Sequence, residues 1–204
     1  MLNVWIQGDN IIRYAALRDS LEKATADGKM TGPVVRTVQE WLNFLHSDSP
    51  RLHQLLQAVY GPSVALQESR LRQIVGVLHL FARCYGEQRE VVVVRAPGRI
   101  NLMGRHIDHR GGYVNMMTIH RELVVVASAR SDGWVHLANA SSEFQDDRFD
   151  LYEELPYIRG CRSWQDYINS QRVRDFHSTS MGQWSNYVKA GLYRLAHHFP
   201  EHRF

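Results

Sequence analysis

The chain has 204 residues, 44% of them hydrophobic and 22% charged, a balance that suits a globular core and excludes a disordered polymer. Lys and Arg total 24 against 21 Asp and Glu, a formal charge of +3, and the arginines are scattered singly rather than gathered into a patch, which argues against a nucleic-acid partner. Cys84 and Cys161 stand far apart, the longest apolar runs (residues 123–127 among them) are too short for a bilayer, and the first nine residues lack the make-up of a secretion signal, so a reduced cytoplasmic setting with no membrane partner is expected.

From the N-terminus, residues 12–26, 34–46 and 51–60 read as helices, broken at Asp27-Gly28, Ser49-Pro50 and Gly61-Pro62. Leu71, Ile74, Val75, Leu78, Phe81, Ala82 and Tyr85 then recur at three-and-four spacing, which predicts an amphipathic helix with Gly86 as its stop. Character changes at Glu90. Four consecutive valines at 91–94 predict a buried strand, and residues 113–119, 122–130 and 134–138 predict three more. Ser131-Asp132-Gly133 reads as a tight turn joining the last two. A polar stretch with Asp146, Asp147, Glu153 and Glu154 follows. A final helix is expected over 181–198, with Trp184, Tyr187, Val188, Gly191, Leu192 and Leu195 on one face. Short connections between strands imply an antiparallel or mixed sheet. The expected class is α+β, with residues 1–65 a helical extension and residues 66–204 the main domain.

The segment from Arg95 to Gly112 is unusual. A buried strand runs into Ala96-Pro97-Gly98, and Arg99, Asn101, Arg105, His106, Asp108, His109 and Arg110 then arrive within twelve residues. Pro97 cannot donate a ladder bond, and Gly98 and Gly104 let the backbone turn sharply or approach a ligand closely. A carboxylate such as Asp108 can accept two neighbouring sugar hydroxyls while His106 supplies a third bond. The same residues could instead form a polar loop tied by local Asp–Arg pairs, and composition leaves both readings open.

The run from Gly98 to His109 resembles the galactokinase signature of the GHMP kinase superfamily, Gly-Arg-x-Asn-Leu-Ile-Gly-Glu-His-x-Asp-Tyr. The preceding helix ending in Tyr85-Gly86, the following Gly111-Gly112-Tyr113-Val114, the strand–turn–strand around Asp132-Gly133, and Trp184, Asn186-Tyr187-Val188 and Gly191 extend the similarity over roughly residues 66 to 195. The resemblance implies the N-terminal domain fold of that superfamily. It also implies an ATP-dependent sugar 1-kinase that transfers the γ-phosphate to the anomeric hydroxyl of galactose or a related sugar, with Mg accompanying ATP. Arg99 matches the family's active-site arginine, whose fixed cationic fork suits charge developing on a transferred phosphoryl group. His106 and Asp108 match sugar-binding positions. Gly111, Gly112 and Tyr113 lie where the family shapes the sugar pocket.

Two positions depart from the signature. Arg105 replaces a Glu that contacts the sugar near its sixth carbon, and His109 replaces an aromatic residue. A guanidinium at 105 would suit a carboxylate in place of a hydroxymethyl group, so a uronic acid of the galacturonate type is the alternative substrate. The superfamily's phosphate loop, Pro-x-x-x-Gly-Leu-Ser-Ser-Ser-Ala, does not occur in these residues. In galactokinases it follows the Trp-Tyr helix, so it is expected beyond residue 204, with the catalytic aspartate later still. The chain is therefore expected to be an incomplete kinase domain, catalytically silent by itself and of marginal solubility. A non-catalytic galactokinase-like sugar sensor is the remaining alternative. His120, His136, His177, His197 and His198 lack metal-ligand spacing, and no metal site is expected in the chain itself.

Overall fold

A computed structural model describes residues 34–104, 106–107 and 110–201. They fall into two compact units, one ending at Val126 and the other beginning at Ala127. The helix anticipated over 12–26 lies outside the described residues.

In the first unit a short strand, β1 (Arg36–Thr37), leads directly into helix α1 (Val38–Leu45). Thr37 makes this abrupt start possible. Its side chain accepts from the Glu40 N–H while the Glu40 carboxylate accepts from the Thr37 N–H, so two orphan donors of the first turn are satisfied reciprocally. Residues 36 and 37 are therefore in a strand, where the sequence pattern predicts a helix from residue 34. They pair antiparallel with the next strand, Arg36 with Val91 and Thr37 with Glu90. Helix α2 (Pro50–Tyr60) starts behind a Ser49 cap with proline in its first turn, and helix α3 (Val64–Tyr85) starts behind a Ser63 cap. Gly86, at φ 92°, ends α3 by donating its N–H to the Ala82 carbonyl at 2.8 Å. Helices α1 and α2 both pack on α3. Their inward faces supply Val38, Leu42, Leu45, Leu52 and Leu56 to the buried set, and α3 supplies Leu78 and Phe81.

The sheet of this unit has the order β1-β2-β3, where β2 spans Glu90–Met103 and β3 spans Asn115–Ala127. The two extended segments anticipated at 113–119 and 122–130 are thus one continuous strand. His120 and Arg121 look like a break in the hydrophobic pattern, but both stand on exposed stretches of a long hairpin where a polar side chain costs nothing. Among the hydrophobic residues of that hairpin, full burial is confined to its base, at Val91, Val125, Val126 and Ala127. Beyond the base, both strands are exposed.

The second unit pairs β4 (Trp134–Leu137) antiparallel with β5 (Asp147–Asp150), with Trp134 opposite Asp150 and Leu137 opposite Asp147. The Asp132-Gly133 turn therefore does not close a ladder between β3 and β4, as the sequence suggested; β4 takes its partner from the polar stretch that follows. That stretch hides a strand because only Phe149 of its four residues is apolar, with Arg148 exposed on the two-stranded ribbon and Asp147 partly buried beside Lys189. Asp150 then caps helix α4 (Leu151–Gly160) by accepting from the Tyr152 N–H at 2.8 Å. Two further helices, α5 (Trp164–Ile168) and α6 (Gln171–Ser180), precede α7 (Ser185–His198). Helix α7 starts four residues later than the apolar spacing suggests, because Gly182 at φ 85° breaks the chain direction just before it. Val135, Leu137, Leu151, Leu155, Val188, Leu192 and Ala196 form the core here. Among the described residues, no helix is long and apolar enough to cross a membrane.

Candidate functional site

The hairpin of the first unit carries the residues that the sequence singled out. Arg99 is exposed on β2, past the point where Pro97 and Gly98 interrupt regular strand composition. Gly98 is required there by contact: a Cβ at this position would lie 2.9 Å from the Arg121 carbonyl oxygen and 3.1 Å from Ile119. At the far end of β2, Gly104 adopts φ 87°, and a Cβ would fall 2.5 Å from the Tyr113 carbonyl oxygen. Backbone strands thus close on each other at Gly104 more tightly than any side chain permits.

Between Gly104 and Tyr113 the chain folds into a compact loop around the carbonyl of Ile107. That oxygen accepts from the Arg110 N–H at 3.1 Å and from the Gly112 N–H at 2.9 Å, while the Ile107 N–H donates to the Gly104 carbonyl at 3.3 Å. The Ile107 side chain lies against Gly112, where a Cβ would approach it to 2.9 Å. His106 takes the left-handed conformation, at φ 66°, and its side chain is exposed. For a residue other than glycine that conformation is uncommon and is held in place only by its surroundings. Gly111 also has positive φ, 79°, but open space around it. Tyr113 is 96% exposed. The structure therefore brings His106, Gly111, Gly112 and Tyr113 into one loop, with Arg99 on the strand that leads to it. Arg105, Asp108 and His109 lie outside the described residues.

The second unit holds a cavity of about 1190 Å³ that the sequence reading did not anticipate. Its walls include Trp134, Phe149, Tyr167, Phe176, Tyr187 and Tyr193. At one side the Lys189 ammonium, nearly buried, donates to Asp147 Oδ2 at 2.8 Å and lies 5.1 Å and 5.3 Å from the rings of Phe149 and Phe176. Burial pushes the Asp147 carboxyl up, but hydrogen bonds from Lys189 and Ser185 outweigh it and hold the group below its ordinary range. At the other side Arg172 forks onto Glu154, with Nη2 donating to Oε2 at 2.8 Å, and the Tyr167 hydroxyl donates to Glu154 Oε1 at 2.9 Å. Burial, then the charge of Glu154, raises the pKa values of the Tyr167 and Tyr193 phenols. The missed signal was the density of aromatic residues at 149, 157, 164, 167 and 176, spread through what reads as a polar connector.

Residues 79–129, from within α3 to just past β3, match a family model described as the galactokinase galactose-binding signature. This stretch is galactokinase-like. A galactokinase of Roseiflexus sp. (strain RS-1) is 39% identical over 88 residues, which cover 43% of this chain and 21% of that protein. A galactokinase of Chloroflexus aurantiacus (strain ATCC 29366 / DSM 635 / J-10-fl) is 40% identical over 77 residues, covering 37% of this chain and 19% of that protein. The chain thus spans about a fifth of the length of the curated relatives it matches. No solved structure matches it significantly. The galactokinase-like stretch coincides with the β2–β3 hairpin and its loop. Helices α1 and α2 and the aromatic cavity lie outside it.

The residues present do not fit the ATP and Mg that a galactokinase-like reaction would use. No segment carries the glycine- and serine-rich phosphate loop, and among the described residues no group of three or more His, Cys, Asp or Glu comes together to hold a metal ion. No residue of this chain is assigned to either.

Proposed function

We propose that the β2–β3 hairpin and its loop are the sugar-binding element of a galactokinase-like kinase of the GHMP superfamily, whose complete reaction moves the γ-phosphate of ATP to the anomeric hydroxyl of a hexose. The reading rests on one coincidence. The galactose-binding signature covers residues 79–129, and within it lie the glycines at which side chains are sterically forbidden, Gly98, Gly104 and Gly112. A backbone constrained this closely at its glycines has less freedom to lose when a ligand arrives, which lowers the ordering cost of binding. Within that loop Asp108 would accept hydroxyls of the sugar, His106 would add a further hydrogen bond, and Tyr113 would form part of the pocket wall. Arg99 would face the anomeric end and offset negative charge on the phosphoryl group. Arg105 favours a second substrate. Its guanidinium stands where the signature has a carboxylate, and a bidentate pair with a sugar carboxylate suits it better than a neutral hydroxymethyl group.

Calorimetric titration of the purified chain with galactose and with galacturonate tests both readings. Binding of either sugar that is lost in Asp108→Asn supports the sugar-site assignment. Preference for galacturonate that reverses in Arg105→Glu supports the anionic substrate, and equal affinity for the two sugars removes it. A chain that binds neither sugar overturns the site.

A further inference from the structure

The leading helices end on the hairpin through a buried carboxylate. The Glu122 side chain, on β3, is 1% exposed, and both of its oxygens are engaged. The Tyr60 hydroxyl, at the last residue of α2, donates to Oε1 at 2.6 Å. Arg95 Nε, on β2, donates to Oε2 at 2.6 Å. The Arg95 guanidinium also lies over the Tyr60 ring, 5.0 Å from its centroid, and Gln73 Nε2 from α3 donates to the Glu122 backbone carbonyl at 3.4 Å. Three elements therefore converge on one residue of a fourth.

A carboxylate this buried is costly unless its oxygens are satisfied, so the pairing resists any slip of β3 against β2. A slip of one residue would turn Glu122 to the opposite face and strand it. Arg95 and Arg99 are four residues apart on β2, so the two-residue period of a strand sets them on one face, about 13 Å apart. Gly98, next to Arg99, rests on the carbonyl of Arg121, the chain neighbour of Glu122. The clasp thus fixes the same few residues of the hairpin that hold Arg99.

We propose that Tyr60, Glu122 and Arg95 form a positioning clasp through which helix α2, outside the galactokinase-like stretch, sets the register of the β2–β3 hairpin and so the placement of Arg99 and the 104–113 loop. The inference rests on the sugar-site reading for its purpose, not for its geometry. None of the three residues touches the ligand; Tyr60 and Glu122 act through the strands.

Amide hydrogen exchange of the full chain, with galactose or galacturonate titration alongside, tests it. Tyr60→Phe keeps the ring over Arg95 and removes only the hydroxyl, so it is the milder variant if Glu122→Gln fails to fold. Losing a hydrogen bond to a charged group predicts about tenfold faster exchange of the amides across residues 98–114 in Tyr60→Phe, with α7 unchanged. It also predicts several-fold weaker binding of whichever sugar the wild-type chain binds. Unchanged exchange over 98–114, or an equal rise throughout the chain, overturns the clasp and leaves Tyr60 a packing residue. If the wild-type chain binds neither sugar, the sugar-site reading falls, and the exchange over 98–114 still decides the clasp.

Discussion

Three glycines of the hairpin meet three different constraints, and substituting each would separate them. At Gly104 a side chain is excluded twice, by φ of 87° and by the Tyr113 carbonyl oxygen that a Cβ would meet at 2.5 Å. Backbone cannot move aside as a flexible side chain can, so Gly104→Ala is expected to cost well over 2 kcal/mol and to abolish sugar binding. Gly111 has φ of 79° but nothing near it, so Gly111→Ala should cost only the left-handed strain, about 1–2 kcal/mol. At Gly112 the obstacle is the Ile107 side chain alone, at 2.9 Å. Gly112→Ala should therefore be largely rescued by Ile107→Ala. Thermal melts of the four variants check the order; Gly111→Ala as damaging as Gly104→Ala would mean that strain, not close approach, governs the loop. Sequence alone could name these glycines as turn formers but could not rank them. The ranking depends on what lies across from each: a backbone oxygen nine residues on for Gly104, a side chain five residues back for Gly112, and open space for Gly111.

Among the elements, α7 and the β4–β5 ribbon are joined by the pair Lys189–Asp147, at 2.8 Å and with Lys189 almost buried. Removing one partner strands the other, so Lys189→Met should destabilise the second unit by about 2 kcal/mol, discounted because Asp147 keeps partial solvent access. The acid limb carries the sign. The folded-state pKa of Asp147 is depressed, so its contribution is present above the unfolded value near 3.9 and is lost as pH falls through the folded value. Urea unfolding of the wild type should therefore weaken with falling pH below about 4, and Lys189→Met should reduce that slope. An unchanged acid limb would show that Asp147 is not held by Lys189. These elements also show what the sequence could and could not disclose. Helix α3 was legible over 71–85, where its apolar residues keep a helical period, though its start at Val64 was not. Of β2 only the start was legible, from its run of valines; the strand continues through Pro97 to Met103, and of the four valines only Val91 is fully buried while Val94 is exposed. The strand at 147–150 was not legible, because its pattern Asp-Arg-Phe-Asp is set by a two-stranded ribbon with one face in solvent and by an aspartate that serves as the next helix's cap. The start of α1 was misplaced for a similar reason: Thr37 is at once a strand residue and a cap. In the candidate site, the roles given to Arg99, His106 and Asp108 rest on the resemblance, and the structure adds the backbone of the hairpin that carries Arg99 and His106. The buried Glu122 clasp was not legible, since Tyr60, Arg95 and Glu122 are separated by up to 62 positions and none stands in a motif.

At the scale of the whole molecule, the hairpin outside its base is the least protected part of the described chain. Ile100, Leu102, Met103 and Met117 are all exposed, Leu102 at 59% and Met103 at 68%, and no hydrophobic side chain of either strand is fully buried before Val91 and Val125. Beyond Glu90 and Val91, where β1 pairs, the outer edge of β2 continues through a dozen residues, and among the described residues no strand lies beside it in the sheet order. A long edge with apolar side chains is a template for pairing with another chain, and nothing in its sequence from Val91 to Met103 blunts it except Pro97 and the arginines. Burying such a patch contributes about 25 cal/mol per Å² against an association cost of about 4–15 kcal/mol, so two copies would have to bury on the order of 1,000 Å², backbone pairing along the edge included, to associate. Sedimentation velocity of the 204-residue chain should therefore show concentration-dependent association. Leu102→Lys combined with Met103→Lys should suppress it, because two like charges facing their counterparts oppose both edge pairing and face contact. The substitutions lie at the loop end of β2, away from Glu122, so the melting transition should move little. A wild-type chain that stays monomeric across the range would show that the hairpin edge is sufficiently protected by its arginines, and would turn attention from solubility to what else covers Leu102 and Met103.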